Sequence, residues 1–299
     1  MKRLFIVNPL SERVAKKGST LESLKDVSTH LTYLDPFENI FDTVDLAIND
    51  KVDHVFIEGG DGTSQGVVTE FLRQYEKFEH FPKFSILPGG MTNQVSKNIG
   101  LRSAKKRYVS SCLNTQLKPI TIQLLWVSES NGPKHAGFLF STGAIPQLTQ
   151  YTTATLHGKG IGGTFAVLGG IMKAIRGNDK TLMKSSNIKI ESLFDGEHLG
   201  TIATTLPSLL LGLDPFWGPQ NAPLRFTYAD ANYQKLGRNI FGLWMGRKGK
   251  DRSKDGLFSS CHKHLNFNYT GPVVLDGEFL DFPSGQFSVN LSRPITFLK

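Results

Sequence analysis

The sequence VDHVFIEGGDGT, residues 52–63, indicates how the first third of the chain folds. Its first half, Val52–Ile57, is a short apolar run of the kind that forms a buried strand. Its second half, Gly59–Thr63, is a glycine-rich loop. Apolar residues then recur with helical spacing at Val67, Val68, Phe71, Leu72 and Tyr75. The segment therefore predicts a strand, a glycine-rich loop and an amphipathic helix in succession.

Three further apolar runs have the length of strands and flank this segment: Leu4–Val7, Leu31–Leu34 and Phe84–Leu87. A helical pattern from Phe41 to Ile48 leads into the central strand. Strands that alternate with helices are typical of a parallel, layered α/β domain. Ligands of such a domain gather at the carboxyl ends of its strands, where the loop Gly59–Thr63 is expected.

The pattern changes after about Lys118. Turn pairs such as Asn131-Gly132 and Asp195-Gly196 now separate the apolar runs, which predicts a second, β-rich and largely antiparallel domain. One stretch differs, because Phe165–Ile175 suits a helix entered through the glycine-rich loop Gly158–Gly163. The predicted strands are Ile120–Val127, Gly137–Ser141, Ile188–Leu193 and Leu265–Tyr269.

The composition is that of a soluble globular protein, with 39% hydrophobic and 20% charged residues among 299. The first apolar run ends at Asn8-Pro9, too early for a secretory signal. No other run reaches the about 18 apolar residues of a membrane span. Cys112 and Cys261 form neither a disulfide framework nor a metal-binding pair. These observations predict a cytoplasmic protein without a transmembrane segment.

The formal net charge of +8 is concentrated in part in three basic clusters. Such clusters suit nucleotide phosphates, an anionic membrane surface or nucleic acid, and solvated loops are the ordinary alternative. No nucleic-acid-binding motif is present and the clusters are not interleaved with stacking aromatics, so no nucleic-acid partner is expected. The clusters are Arg13-Lys16-Lys17, Arg102-Lys105-Lys106-Arg107 and Arg247-Lys248-Lys250-Arg252-Lys254.

The loop Gly59-Gly60-Asp61-Gly62-Thr63 has the composition of a phosphate-binding loop. Glycines let the backbone approach a phosphate and adopt positive φ angles, and the start of the following helix attracts anions. Thr63 and Ser64 can cap that helix or donate hydroxyl hydrogen bonds to phosphate. Asp61 repels phosphates unless it holds Mg²⁺, accepts a proton or is turned away. A plain strand-to-helix turn is the alternative interpretation.

A second loop, Leu87–Asn93, repeats this arrangement after the next predicted strand. It precedes a short helical stretch, Gln94–Asn98. Two such loops at the ends of neighbouring parallel strands can hold two sides of one nucleotide. The candidate nucleotide contacts in the second loop are Gly89, Gly90, Thr92 and Asn93.

The late stretch Val274–Phe279 carries two carboxylates around a turn. Asp276-Gly277 between apolar runs is the standard signal of a tight hairpin, which favours a structural role. In the alternative, Asp276 and Glu278 project into a cleft between the two domains. There a carboxylate can take the proton of an attacking hydroxyl while Mg²⁺ neutralises the phosphates.

Four motifs occur in the order seen in the diacylglycerol kinase catalytic-domain family: Asn8-Pro9, Gly59–Thr63, Pro88–Asn93 and Asp276-Gly277-Glu278. The chain resembles that family over nearly its whole length. The family includes bacterial lipid kinases and sphingosine kinases and is distantly related to NAD kinases. The late Asp-Gly-Glu motif is specific, because it distinguishes the lipid kinases from the NAD kinases.

The resemblance implies ATP as phosphoryl donor, Mg²⁺ as its metal and a lipid hydroxyl as acceptor. It places Gly59–Thr63 around the phosphates, and it brings Asn8, with Arg13 and Lys16 or Lys17, toward the nucleotide. Glu278 matches the family's proton acceptor. Asp276 matches its neighbouring acid, and Asp61 is a competing candidate base, since it lies closest to the phosphates.

The resemblance also implies a two-domain fold. An α/β nucleotide domain over residues 1–117 is completed by a strand in residues 292–299, near Ile295–Leu298. Residues 118–291 form a β-rich, sandwich-like lipid domain. The family further suggests a homodimer, and a lipid substrate at a membrane surface would allow a peripheral contact with that surface.

The chain departs from the family pattern in two places. The family loop reads Pro-x-Gly-Thr-Gly/Ala-Asn-Asp, whereas this chain has Met91, Thr92 and Gln94 at its last variable positions. The loss of a threonine hydroxyl at Met91 removes a nucleotide contact that the neighbouring Thr92 could supply instead. The family also holds a structural Mg²⁺ through an Asp-Gly pair. By spacing, the matching metal ligand is Asp230, in Asp230-Ala231; Asp255-Gly256 keeps the dipeptide but lies too near the late motif.

We therefore expect an ATP- and Mg²⁺-dependent kinase of a diacylglycerol-like or sphingoid lipid. One alternative is a kinase of a soluble acceptor such as NAD, because NAD kinases share the glycine loop. Another is a catalytically inactive nucleotide- or lipid-binding protein, which Met91 and Gln94 suggest. The basic stretch Arg247–Lys254 is explained either by a membrane-surface contact or by a solvated loop.

Overall fold

The computed structural model describes residues 2–75, 80–90, 93–130, 132–147, 184–209 and 213–299. The chain divides into two compact units, one of residues 1–122 with 293–299 and one of residues 123–292. The expected helix Phe165–Ile175 and the loop Gly158–Gly163 lie outside the described residues. Among the helices in the described ranges, none combines the length and apolar character that a bilayer span requires.

The first unit is a layered α/β unit built on a mostly parallel sheet. Its six strands lie in the order β2-β1-β3-β4-β17-β5, with only the β17–β5 pair antiparallel. The strands are β1 (Arg3–Val7), β2 (Thr29–Tyr33), β3 (His54–Gly59), β4 (Lys83–Pro88), β5 (Pro119–Ile122) and β17 (Ile295–Leu298). The helices are α1 (Glu12–Lys17), α2 (Ile40–Asn49), α3 (Asp61–Gln74), α4 (Gln94–Ile99) and α5 (Lys106–Asn114).

The parallel α/β fold predicted from the alternating pattern is confirmed. The apolar runs form β1 to β4, because each supplies side chains to the buried faces of the sheet. Every residue of β3 is buried, so this strand forms the centre of the unit. The last strand returns to this sheet, where Phe297 pairs with Phe84 of β4 and residues 295–298 pair with β5.

The second unit consists mainly of one antiparallel sheet of eleven strands. The strands are β6 (Leu125–Ser128), β7 (His135–Gly137), β8 (Leu139–Gly143), β9 (Ser186–Ile190), β10 (Phe194–Thr204), β11 (Leu224–Asp230), β12 (Leu257–His262), β13 (Leu265–Asn268), β14 (Val273–Leu275), β15 (Glu278–Leu280) and β16 (Gln286–Leu291). One helix, α6 (Leu236–Trp244), connects β11 to β12. The predicted β-rich, antiparallel character is confirmed.

Two predicted strands are in fact two strands each. The run Ile120–Val127 is divided between sheets, because β5 belongs to the first unit and β6 to the second. At the division, Leu124 N donates to Ser292 Oγ at 2.9 Å and Gln123 Nε2 donates to the Ser292 carbonyl at 2.7 Å. The run Gly137–Ser141 is likewise divided into β7 and β8.

Candidate functional site

The two glycine-rich loops lie side by side at the carboxyl ends of β3 and β4. These strands are parallel neighbours, and Gly59 pairs with Pro88 at their last register position. A Cβ atom at Gly89 would lie 2.7 Å from the carbonyl oxygen of Gly59. A Cβ atom at Gly90 would lie 2.8 Å from Cα of Gly60. Neither position has room for a side chain, so the glycines allow the two loops to touch through their backbones.

The glycines of the first loop serve close approach rather than the positive φ angles expected from the sequence. Gly60 is the N-cap of α3 with φ −81° and ψ −178°, and the first loop holds none of the positive-φ residues of the described chain. A Cβ at Gly59 would lie 2.6 Å from the Thr63 side chain, so Gly59 makes room for Thr63. A Cβ at the exposed Gly62 would meet no described atom within 4 Å.

The start of α3 offers groups that bind anions. The first N–H groups of a helix have no intrahelical acceptor, and the helix dipole adds partial positive charge there. Ser64 is directed inward, because its N–H and its hydroxyl both donate to the Gly60 carbonyl, at 3.0 Å each. The Gly60 N–H donates to Ser11 Oγ at 3.3 Å. The exposed first turn at Gly62 is therefore the part of the loop that is open to a phosphate.

Asn8, at the end of β1, holds the threonine of the loop. Asn8 Nδ2 donates to Thr63 Oγ1 at 2.9 Å, and Asn8 Oδ1 accepts the Leu10 N–H at 2.9 Å. The Asn8 N–H donates to the Glu58 carbonyl at 3.0 Å, which fixes the β1 end against β3. Because Thr63 Oγ1 accepts from Asn8, the O–H of Thr63 is oriented to donate elsewhere. The structure thus brings the predicted contacts Asn8 and Thr63 together.

Asp61 is directed to the second loop. Its Oδ2 accepts the Gln94 N–H and its Oδ1 accepts the Val95 N–H, at 2.9 Å each. These two N–H groups begin α4, so the Asp61 carboxylate caps that helix from the neighbouring loop. Of the three roles open to Asp61 in the sequence, this geometry corresponds to a carboxylate turned away from the phosphates.

Asn93 closes the second loop on itself. Its backbone is left-handed, with φ +50°, immediately before α4. Its Oδ1 accepts the Gly90 N–H at 2.9 Å, and its Nδ2 donates to the Gly90 carbonyl at 2.7 Å. The Asn93 side chain therefore fixes the Gly90 backbone. Met91 and Thr92 lie outside the described residues.

Glu58 was missed by the sequence analysis, although it directly precedes the glycine loop. Its side chain is fully buried and accepts hydrogen bonds from Ser19 Oγ at 2.6 Å, Thr20 N at 2.9 Å and Leu21 N at 3.0 Å. It also forms an ion pair with the Arg13 guanidinium. A carboxylate in an otherwise apolar strand is the signal that identifies such a residue, because buried charges need partners.

The basic residues after β1 have different surroundings. Arg13 pairs with Glu58, its N–H donates to the Gly89 carbonyl at 3.0 Å, and burial lowers the pKa of its guanidinium. Lys16 and Lys17 are exposed, and Lys16 Nζ contacts Glu12 Oε1 at 2.7 Å. Arg13 therefore joins α1 to β3 and to the second glycine loop, whereas the two lysines lie on the surface.

The late Asp-Gly-Glu motif forms a tight hairpin between β14 and β15. Asp276 and Gly277 have φ angles of +52° and +96°, as the turn requires. Asp276 Oδ2 accepts the Phe138 N–H and Oδ1 accepts the Leu139 N–H, at 2.8 Å each. The Asp276 N–H donates to the Leu139 carbonyl at 2.8 Å. Asp276 therefore attaches the hairpin to the start of β8.

Glu278 contrasts with its neighbour. It begins β15 opposite Leu275, and its side chain is exposed. Within the described parts of the chain, its carboxylate has no hydrogen bond or ion pair. Among the three acidic candidates, Asp61 and Asp276 accept two backbone N–H groups each, and Glu278 alone presents a carboxylate to solvent.

The surroundings of Asp230 do not fit a magnesium ion. Asp230 Oδ1 accepts the Asn232 N–H at 2.8 Å. The carbonyls of Gly256 and Asp255, which lie beside it, accept N–H groups from Asp230 at 2.9 Å and Gln234 at 2.8 Å. In the described ranges, no three Asp, Glu, His or Cys side chains group together as metal ligands.

The carboxylate of the neighbouring Asp255 also has hydrogen-bond and ion-pair partners. Its carboxylate accepts a hydrogen bond from Asn239 at 2.9 Å, which lowers the pKa of the carboxyl group, and Lys235 Nζ lies 3.4 Å away. An ammonium group at this distance opposes a second cation. The structure therefore brings Asp230 and Asp255-Gly256 together in one hydrogen-bonded network that also contains the Lys235 ammonium group.

The site thus consists of two strand-loop-helix units whose glycine loops pack against each other. Residues 2–125 match the diacylglycerol kinase catalytic domain family. This match confirms, for these residues, the resemblance seen in the sequence.

Solved structures share the fold over almost the whole chain. A diacylglycerol kinase from Bacillus anthracis str. Sterne is 16% identical, with a TM-score of 0.63, over 99% of this chain and 96% of that chain. A candidate diacylglycerol kinase from the same organism is 19% identical, with a TM-score of 0.67, over 99% and 96% of the two chains. At these identities the likeness establishes the fold. None of the curated proteins matches the sequence.

Proposed function

We propose that the protein transfers the γ-phosphoryl group of ATP to the hydroxyl of a lipid. The observation that carries this proposal is the backbone contact between two glycine loops that precede α3 and α4, within residues that match a diacylglycerol kinase catalytic domain. Close approach of backbone N–H groups at a helix start is suited to the phosphates of a nucleotide. Positioning and electrostatic stabilisation supply most of the catalysis in phosphoryl transfer.

In this proposal, the first turn of α3 holds the phosphates. The N–H groups near Gly62 and the Thr63 hydroxyl, oriented by Asn8, donate to phosphate oxygens. Asp61 and Asn93 act as positioning residues, since Asp61 ties the first loop to the start of α4 and Asn93 fixes the Gly90 backbone within the second loop. Gly59, Gly60, Gly89 and Gly90 permit that contact.

Mg²⁺ enters the proposal as part of the substrate MgATP. The metal neutralises phosphate charge and belongs to the nucleotide. The surroundings of Asp230 do not fit a resident ion, and the described chain shows no cluster of metal ligands, so no step is assigned to a protein-held metal.

Glu278 is the proposed proton acceptor for the lipid hydroxyl. A general base must reach its proton, and the exposed Glu278 carboxylate is unoccupied by other described residues. Asp276 supports this role indirectly by fixing the hairpin on β8. The lipid acceptor itself is proposed from the Asp276-Gly277-Glu278 motif.

The test is transfer of labelled γ-phosphate from ATP to a total lipid extract, with NAD as a parallel acceptor. We expect label in a lipid and none in NAD. Asp281→Asn, which removes another exposed carboxylate just after β15, is the matched control for Glu278→Gln. Label in NAD alone would replace the lipid acceptor with a soluble one. ATP binding without transfer to either would favour an inactive binding protein.

A further inference from the structure

Helix α6 of the second unit carries large apolar side chains on its outside. Phe241 is 57% exposed, Trp244 55% and Met245 59%. Residues three and four positions apart lie on one face of a helix, and the rings of Phe241 and Trp244 are 6.1 Å apart in an edge contact. The opposite face is buried through Asn239 and Leu243. Contiguous exposed apolar side chains of this size mark an interaction surface.

Basic side chains surround this apolar group. Residues 235–255 contain seven Lys or Arg and two Asp, an excess of five positive charges in a chain whose formal net charge is +8. Lys248 pairs with Asp214, so part of this charge is compensated. The other exposed cations are Lys235, Arg238, Arg247, Lys250 and Lys254. We call the apolar face of α6 and the loop 247–254 together the α6 surface.

The buried side chain of Arg252 fixes the backbone of the basic loop 247–254. This side chain is 1% exposed, and its guanidinium lies 4.9 Å from the ring centroid of Trp217. It donates to the carbonyls of Lys250, at 2.7 Å, and Arg247. The buried arginine therefore holds the loop backbone in a defined path while Arg247 and Lys250 point their exposed side chains outward. The loop thus combines a hydrogen-bonded backbone with exposed basic side chains.

Exposed apolar and aromatic side chains that are surrounded by cations fit the surface of an anionic bilayer. At the surface of a bilayer, aromatic and apolar side chains enter the boundary between headgroups and acyl chains, and Lys and Arg pair with anionic headgroups. A second copy of the chain would bring the same net positive charge against this surface, which opposes self-association through it.

We propose that the α6 surface docks the protein on an anionic lipid bilayer. Phe241, Trp244 and Met245 enter the headgroup boundary, and Arg247, Lys250 and Lys254 contact anionic headgroups. The docking is inferred only from the exposure of these apolar side chains and the charge of the basic ones. Its purpose, the delivery of a lipid acceptor, rests on the proposed kinase function.

The first test measures binding of the full chain to vesicles by sedimentation, without ATP. Vesicles of phosphatidylcholine are compared with vesicles that also contain phosphatidylserine. We expect binding to the anionic vesicles that weakens with salt. In Arg247→Gln/Lys250→Gln/Lys254→Gln, the partition coefficient should fall about fivefold for each charge removed.

A matched control separates this surface from the general charge of the protein. Lys105→Gln/Lys106→Gln/Arg107→Gln removes three exposed cations around the start of α5 and gives the same net charge. We expect this variant to bind nearly as well as the parent. Equal losses in the two triple variants would overturn the proposal, because they would show attraction by net charge alone.

A matched pair of variants tests how much the apolar side chains contribute to vesicle binding. Phe241→Ser should lower the partition coefficient on the order of tenfold, since it removes an aromatic ring from the headgroup boundary. Phe41→Ser changes a residue of α2 that is 50% exposed, and it should leave binding unchanged. Thermal unfolding of each variant establishes that it is folded. Equal binding by both phenylalanine variants would contradict docking through α6.

Two further outcomes would overturn the proposal. One is absence of binding to anionic vesicles by the parent protein, and the other is retention on an RNA homopolymer in place of vesicles. Because ATP takes no part in these measurements, their failure leaves the kinase proposal intact. A protein that binds vesicles and transfers no phosphate would instead contradict the kinase proposal and leave the docking surface standing.

Discussion

Asp61 in the first unit and Asp276 in the second perform the same geometric task. Each carboxylate accepts two consecutive backbone N–H groups, from Gln94 and Val95 in one case and from Phe138 and Leu139 in the other. The distances are 2.9 Å and 2.8 Å respectively. Charge-assisted bonds of this kind are about twice as strong as neutral ones. Both aspartates therefore attach a short motif to a neighbouring element.

The difference lies in what is attached. Asp61 joins the first glycine loop to the end of the second and caps α4, so the packing of the two loops depends on it. Asp276 joins a hairpin to β8, and the exposed carboxylate beside it is Glu278. The aspartate of each motif therefore positions the motif, and the chemistry that we propose belongs to the neighbouring residues Thr63 and Glu278.

The largest expected effect separates Glu278 from Asp276. We predict that Glu278→Gln lowers turnover about 10²–10⁴-fold while leaving ATP affinity unchanged, because the amide cannot accept the hydroxyl proton. The stability of the protein should not change, since the side chain is exposed. Turnover and ATP binding are measured on the same preparation, with Asp281→Asn as control. Full turnover in the glutamine variant would remove Glu278 from the mechanism.

Substitution of Asp61 and of Asp276 should lower the stability of the protein to a similar extent but should affect ATP binding differently. In Asp61→Asn and in Asp276→Asn, an amide NH₂ group replaces one carboxylate oxygen. This NH₂ group then faces a backbone N–H group that has lost its acceptor. We expect each to lose about 2–3 kcal/mol of unfolding free energy. Only Asp61→Asn should also weaken ATP binding, because only it holds the glycine loops together. Urea unfolding and ATP titration check both parts, and equal ATP affinities would contradict the distinction.

A smaller effect compares a buried histidine in each unit. Burial lowers the pKa of His54 to about 3 and lowers the pKa of His198. His54 Nε2 contacts Ser85 Oγ at 3.0 Å, and His198 Nε2 contacts Thr142 Oγ1 at 2.9 Å. Both rings stay neutral in the folded protein under conditions in which the unfolded chain, with a histidine pKa near 6.5, binds protons.

The unfolding free energy should therefore be highest above pH about 6.5 and fall as the pH decreases from there toward the folded pKa, at most about 1.4 kcal/mol per pH unit for each histidine. For His54 the window extends to a pH of about 3. His54→Gln should flatten part of this dependence when urea unfolding is measured between pH about 7 and about 5. An unchanged slope would show that His54 does not contribute.

The sequence was sufficient for the features that depend on local patterns. The apolar runs identified β1 to β4, and the glycines identified both loops. Local patterns were insufficient wherever a distant partner decides the outcome. Leu124 separates β5 from β6 through Ser292, which is 168 residues away. The roles of Asp61 and Asp276 likewise depend on partners 33–34 and 137–138 residues away.

Glu58 shows a different limit of the sequence. A single carboxylate in an apolar strand indicates a buried charge, but its partners Arg13, Ser19 and Thr20 belong to a segment that precedes it by about forty residues and carries no motif. The positive φ angles expected for the glycines of the first loop are absent. A glycine that permits close contact and a glycine that permits a positive φ angle cannot be distinguished in a sequence.

The most direct test of the phosphate site is the ATP affinity of Gly62→Ala. The added methyl group meets no described atom within 4 Å, so the unfolding free energy should stay the same or rise slightly. If phosphates occupy the first turn of α3, the methyl group obstructs them and ATP affinity should fall about tenfold or more. Gly249→Ala, which also adds a methyl group in open space, is the control. Unchanged ATP affinity in Gly62→Ala would contradict binding of phosphates at the glycine loop.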